Sequence, residues 1–320
     1  MSIIKVWISA FRLRTLPLAT AAVLAGSSIA DLHHSLDIKI SILCFTTAVA
    51  LQILSNLAND YGDFTKGTDN EKRLGNMRAL QSGSITQKQM LLMIIVFIGI
   101  CLWSGISLLY QAVDGNINTQ FVLFFLIGIV SIIAAIKYTV GKNAYGYSGL
   151  GDIAVFAFFG PVAVIGTFLL NTHFEFNTQN DLLVLLPASG IGLLCTAVLN
   201  TNNIRDVEND NTSGKHTIPV KIGLLNARVY HTFLIVGGVF CTLVYSFSNP
   251  FHWIKLLQIP AAFLIIKNLI DVRKTEPSPK FNLFLKELSL GILLFVLFFV
   301  FTNAASTIFL STEAIIKVMK

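Results

Sequence analysis

The sequence predicts an all-α integral membrane protein of about nine transmembrane helices around a central cavity, and three observations carry that expectation. Hydrophobic residues make up 54% of the 320 residues and charged residues only 12%, against roughly 25% charged in a soluble domain. So little charge cannot cover a globular surface. The apolar residues also fall in blocks, several of them the length of a bilayer-crossing helix, about 20 residues. Finally, the bases alternate between connections, as successive spans of opposite direction require. These features exclude a soluble fold, a disordered tail and a nucleic-acid binder.

The spans follow in order. Residues 15–30 are short and come after Arg12 and Arg14. Residues 40–59, 89–113, 115–136, 153–174 and 182–204 contain no Asp, Glu, Lys or Arg. Residues 229–254 lack them too but carry His231 and His252. Residues 256–270 hold Lys267 near one end, where a long side chain reaches the headgroups. Residues 288–310 close the set, again free of charge. Nine spans put the termini on opposite sides. With the N-terminus cytoplasmic, 19 of the 23 Lys and Arg lie on that side, leaving Lys39, Lys255, Lys317 and Lys320 on the other. The formal charge of +6 is therefore mostly topology. Cys44, Cys101, Cys195 and Cys241 sit singly in apolar blocks and read as small buried hydrophobes.

The acids do not follow from topology. Asp60, Asp63, Asp69 and Glu71 gather in one cytoplasmic connection, Asp206, Glu208 and Asp210 in another, and Asp152 in a third. Asn59-x-x-x-Asp63 follows the second span and Asn202-x-x-x-Asp206-x-x-x-Asp210 the sixth. Four-residue spacing stacks these groups on one helix face. Clustered carboxylates at a membrane surface repel one another and lose hydration, and a divalent cation relieves both costs. Oxygen-only ligands favour Mg²⁺, which completes its shell with water and substrate phosphate. Asp60, Asp63, Asp69, Asp206 and Asp210 are thus candidate ligands, about two ions are expected, and the surrounding bases suit a diphosphate. The paired patterns suggest a single 1–320 domain with a weak internal repeat, its acidic loops at about 59–88 and 202–228. Asp152 reads as a helix N-cap or as part of the site, Arg14 as a cavity or a topology charge, and His216 as an exposed loop residue.

The stretch from Asn59 to Asp69, of form N-x-x-x-D-x-x-x-G-x-D, resembles the first aspartate-rich motif of the UbiA superfamily of intramembrane aromatic prenyltransferases, in its menaquinone branch. Asn202 to Asp210, running on to Gly214-Lys215-His216-Thr217 and Ile222-Gly223, resembles the second. Arg14-Thr15-Leu16-Pro17, Gly149-Leu150-Gly151-Asp152 and Phe158-Phe159-Gly160-Pro161 extend the similarity over most of the chain. One departure stands out: Gly141-Lys142-Asn143-Ala144-Tyr145-Gly146-Tyr147 replaces the usual Gly-Pro-rich turn, with Lys142 as an added candidate for diphosphate contact.

The resemblance implies a Mg²⁺-dependent enzyme of the bacterial inner membrane, opening to the cytoplasm. It would transfer a polyprenyl group from polyprenyl diphosphate to 1,4-dihydroxy-2-naphthoate, with loss of pyrophosphate and CO₂. Asp63, Asp206, Asp210 and Lys66 become the catalytic candidates. Asn59, Arg78, Tyr138, Lys142, Tyr147, Asn202, Arg205 and Lys215 become the binding candidates. A family member acting on another acceptor, such as 4-hydroxybenzoate, is the alternative. A secondary transporter fits less well, because the spans are nearly free of charge at mid-depth where transporters place ionisable groups.

Overall fold

The structure, a computed structural model, describes residues 3–71, 73–175, 179–248 and 252–318. Lys72 and Lys320, the side chain of Lys317 and positions 249–251 of the expected seventh span lie outside the described residues. Helix makes up 79% of the chain, with no strand among the described residues.

The first helices are α1 (Ile3–Phe11), α2 (Leu16–Leu32), α3 (Ile38–Thr65), α4 (Gln87–Ala112) and α5 (Thr119–Lys137). α6 (Gly151–Ala157) passes through a π-helical stretch, Phe158–Ile165, into α7 (Gly166–Asn171). Then come α8 (Leu185–Arg205), the short α9 (Val207–Thr212), α10 (Ile218–Ser248), α11 (Gln258–Ala261), α12 (Phe263–Lys274) and α13 (Phe281–Val318). Among the described residues eight helical stretches are long and apolar enough to cross a membrane, and α1 with α2, bent by 50°, makes a ninth if taken as one span. Trp103, Val130, Phe240 and Phe301, all more than half exposed, point outward as lipid-facing side chains do. The protein is an integral membrane protein.

Local chemistry sets the helix starts. Asp37 accepts from the amides of Lys39 and Ile40, and Asn118 from that of Phe121. Thr86 and Gln89 form a reciprocal capping box. Several spans run past the charge-free blocks, because helical hydrogen bonding continues through the first ionic residues. α3 reaches Thr65 and so carries Asn59, Asp60 and Asp63 in its last turns. α10 starts at Ile218 rather than 229, with Gly223 at φ 78° breaking its first turns. The expected span at 256–270 runs from Trp253 to Lys274, in three helical pieces with at most one residue between them.

Two cores flank a central space. Ala22, Ile29, Phe168, Ile191, Leu194 and Phe295 represent one, built from α2, α7, α8, α10, α12 and α13. Val6, Ala50, Leu54, Leu57, Met90 and Ile94 represent the other, built mainly from α1, α3 and α4. α8 is the axle of the first. A Cβ on its Gly190 would lie 2.8 Å from the Gly238 carbonyl oxygen of α10. Small residues of this kind let spans approach closely where no hydrophobic effect drives them together.

Candidate active site

The space between the cores is a cavity of about 720 Å³. One end is polar, formed where α3 and α8 run out and the α1–α2 elbow folds over. The rest is apolar, with Leu102, Leu109, Phe124, Phe158, Phe159 and Leu170 on its walls. Of the sequence candidates, Asn59, Asp63, Arg78, Tyr138, Asn202, Asp206, Asp210 and Lys215 line it.

The two acidic segments end alike. α3 stops at Gly67, φ 72°, and the Thr68 amide bonds the Asp63 carbonyl. α9 stops at Gly214, φ 71°, and the Lys215 amide bonds the Asp210 carbonyl. Glycine is needed at both turns because the left-handed conformation penalises a Cβ. These closures put Asp63 and Asp210 in equivalent places, with Asn59 and Asp206 one turn earlier. Asn209 then donates to the Thr68 carbonyl (3.0 Å) and fastens the segments together.

Each cavity carboxylate has its own surroundings. Asp63 accepts from Tyr147 (2.8 Å), with Lys215 Nζ at 3.7 Å. Asp206 is gripped by Arg205 through two hydrogen bonds, and Arg73 stands 3.6 Å away. Burial pushes the Asp206 carboxyl up, but the Arg205 bonds and charge, with Arg73 and Arg78, hold it below the usual range. Asp210 makes no ion pair or side-chain hydrogen bond among the described residues. Burial, reinforced by Asp206 and Asp63 against the pull of Lys215, raises its carboxyl to about 7. Lys215, though buried, is held protonated above its ordinary range by Asp63 and Asp210.

Six candidates lie off the cavity wall. Asp60 is about 60° round α3 from Asp63. It belongs to a stripe of α3, Gln52-Asn56-Asp60, that holds the elbow. Gln52 bridges Thr15 O (2.6 Å) and Ala19 N, Asn56 donates to Phe11 O (3.0 Å), and Asp60 pairs with Arg12 and Arg78. Asp69 sits between Arg73 (3.3 Å) and Arg78 (3.8 Å). Arg205 is buried behind Asp206, its remaining donors spent on Asn202 and Asn282, both at 2.8 Å. Lys66 is exposed, its ammonium 3.8 Å above the Tyr147 ring. Tyr147 acts through Asp63, and Lys142 is exposed on its loop. Asp152 is not an N-cap: α6 has no side-chain cap, and both Asp152 oxygens are buried without a hydrogen-bond partner.

Sequence reasoning left out Arg12 and Arg73, which line the cavity and had been read only as topology charges, and also Tyr145 and Asn203. The i,i+4 spacing of Asp69 and Arg73 was the available signal for Arg73. Arg12, Arg14, Arg73, Arg78 and Lys215 face Asp63, Asp206 and Asp210, so cations outnumber carboxylates five to three at the polar end. That excess suits an anion. Among the described residues no three acidic, His or Cys side chains already form a metal cage. The unpartnered Asp210, pressed by Asp206 and Asp63 and sharing the cavity wall with Asn59 and Asn202, nonetheless offers the oxygen donors that a hard divalent cation takes.

The UbiA prenyltransferase family pattern matches residues 16–290. A protein of Escherichia coli (strain K12) named 1,4-dihydroxy-2-naphthoate octaprenyltransferase is 42% identical over 274 residues, covering 85% of this chain and 87% of that one. An apo UbiA homologue from Aeropyrum pernix K1 superposes with a TM-score of 0.63 at 16% identity, over 86% of this chain and 94% of its own. A UbiA homologue from Archaeoglobus fulgidus bound to DMAPP and Mg²⁺ gives 0.55 at 17% identity, over 91% and 98%. On the sequence match across most of its length, with the same helical architecture, this chain belongs to the UbiA prenyltransferase family.

Proposed function

We propose that this protein transfers a polyprenyl group from polyprenyl diphosphate to 1,4-dihydroxy-2-naphthoate, releasing pyrophosphate and CO₂ and giving demethylmenaquinol. The observation that carries this reading is the convergence of Asp63 with Asp206 and Asp210, from two separate helix ends, on the polar end of an otherwise apolar cavity. The name and 42% identity of the Escherichia coli relative support the acceptor.

In this reading Asp63, Asp206 and Asp210, with Asn59 and Asn202, hold the metal. Bound Mg²⁺, two ions in our proposal, supplies Lewis-acid stabilisation of the departing pyrophosphate. Arg73, Arg78 and Lys215 bind the remaining diphosphate oxygens and are already charged when it arrives. The allylic carbon–oxygen bond breaks with its electron pair on pyrophosphate, and the electron-rich ring attacks the allylic carbon through its carboxylate-bearing position. The ring–carboxylate bond then breaks, its electron pair restoring the aromatic ring as CO₂ leaves. Tyr138 and Tyr145, edge to face at 5.4 Å, present aromatic surface to the developing cation. The apolar walls take the isoprenoid tail and exclude the water that would quench the cation.

The chain acts as one domain, with the polar end on the cytoplasmic side of a bacterial inner membrane. Arg205, Asp60 and Asp69 serve as positioning charges rather than as ligands. The test is purified protein in detergent with Mg²⁺, a polyprenyl diphosphate and each acceptor in turn. Prenylated product with CO₂ from dihydroxynaphthoate is expected. Turnover with 4-hydroxybenzoate and none with dihydroxynaphthoate would overturn the assignment.

A further inference from the structure

Beside the polar end of the cavity lies a second hollow of about 160 Å³. Its walls are the α1–α2 elbow, Asp60 of α3 and the stretch from Asn76 to Ala79. Arg12, Arg14 and Arg78 line both spaces, so these three residues stand between them. Asp60 is the one carboxylate lining the hollow. It pairs with Arg12 and, at 3.1 Å, with Arg78. Arg14 makes no ion pair or hydrogen bond with any described residue, and Arg12 Nε is buried without an acceptor.

Three guanidiniums meet one carboxylate at the hollow, and although Arg78 also reaches Asp69 at 3.8 Å, Arg14 and Arg12 Nε leave positive charge and N–H donors in excess. Planar donors of this kind match phosphate oxygens. The outer rim carries Asn76 and Met77, both exposed, so the hollow reaches the surface without crossing the apolar part of the main cavity.

We propose that this hollow is a second phosphate-binding site, a vestibule through which Arg14 passes inorganic pyrophosphate from the main cavity to the surface. The exit role rests on the prenyl-transfer reading, whereas the phosphate affinity of the hollow does not. A long apolar product fills the lipid-facing part of the cavity, so a water-soluble trianion leaves from the polar end. The three arginines shared by both spaces give it a path there, handing the phosphates from one space to the other. The exposed Ile3, Ile4 and Ile8 of α1 suit the membrane interface, so a lipid headgroup phosphate is the other source of the same chemistry.

The experiment titrates inorganic pyrophosphate into the full chain in lipid-free detergent by calorimetry. It compares wild type with Asn76→Asp and Met77→Glu, two exposed positions on the hollow but not on the main cavity. Two pyrophosphate sites are expected in wild type, one of them weakened about tenfold or more by either variant. Pyrophosphate inhibition of turnover should weaken in parallel, with KM for polyprenyl diphosphate within twofold. A single site, or two sites that neither variant alters, overturns the proposal. If phosphatidylglycerol occupies the variant-sensitive site and pyrophosphate does not displace it, the hollow is a headgroup site and the exit role is overturned. Variant-sensitive pyrophosphate binding without prenyl transfer overturns the functional reading and leaves the site standing.

Discussion

Tyr147 donates its phenolic proton to Asp63 across 2.8 Å, and it is fixed there from three sides. Its single proton being spent, the 2.6 Å contact with Thr68 has the threonine as donor. Lys66 and Lys215 sit 3.8 and 5.3 Å from the ring centroid. Burial and the Asp63 charge both push the phenol above its ordinary range, so it remains a donor throughout the working pH. The loop Gly141–Tyr147 therefore serves the site twice, Tyr147 orienting one carboxylate and Tyr145 lining the cavity.

Tyr147→Phe should keep the fold and lose that orientation. A group that hydrogen-bonds a metal-binding carboxylate and fixes its direction is worth about 10–100-fold in metal affinity or activity. The expected result is a loss in that range, with the Mg²⁺ activation curve moved to higher concentration. An unchanged Mg²⁺ curve would show that Asp63 does not depend on this bond.

Asp63→Asn and Asp206→Asn should both lower turnover by about 100-fold or more, as loss of one charged group in a water-poor site does. They should differ in stability. Asp206→Asn leaves Arg205 buried without its counter-ion, which costs about 3–5 kcal/mol, whereas Asp63 is bordered by only Lys215 and Tyr147. Activity and thermal unfolding in detergent, measured on the same preparations, separate the two effects.

Gly62→Ala tests how closely α3 must approach Thr139, two residues past the end of α5. A Cβ there would lie 2.5 Å from Thr139 Oγ1 and 2.7 Å from its carbonyl carbon. Thr139 also bonds Ala58 O at 3.0 Å and Asn59 Oδ1 at 3.3 Å, so the displaced group is the one that aims Asn59. A loss of about 1–3 kcal/mol is expected, with weaker Mg²⁺ activation. Wild-type unfolding and activation would contradict the packing described.

The Asp210 carboxyl, raised to about 7, carries a pH signature. An acid whose folded pKa exceeds its unfolded value, about 3.9, favours folding at low pH and loses that contribution as pH rises from about 4 to 7. Without divalent cation, the stability gap between wild type and Asp210→Asn should therefore shift against wild type across that window and level off above it. Mg²⁺ should restore wild type above pH 7 and leave the variant unaffected. A gap independent of pH counts against a free Asp210.

Much of this protein could be read from sequence. Hydrophobic blocks locate the spans because bilayer thickness dictates their length, and a four-residue interval of Asn and Asp marks helix faces wherever they end up. Asp63, Asp206 and Asp210 were found in this way, and all three line the cavity. What the intervals do not contain is azimuth relative to other helices. Asp60 and Asp63 are three residues apart on one helix, yet one locks the α1–α2 elbow and the other faces the cavity, since the neighbours differ on each side. Arg73 and Arg205 look alike in sequence, but only packing spends Arg205 on Asp206 and two half-buried amides and leaves Arg73 facing inward. The sequence by itself determined the membrane architecture, the acidic chemistry and the polar end of the cavity, because these depend on composition and local periodicity. Which charges are free and which are paired was decided only by tertiary structure, because pairing depends on what long-range packing brings within about 4 Å.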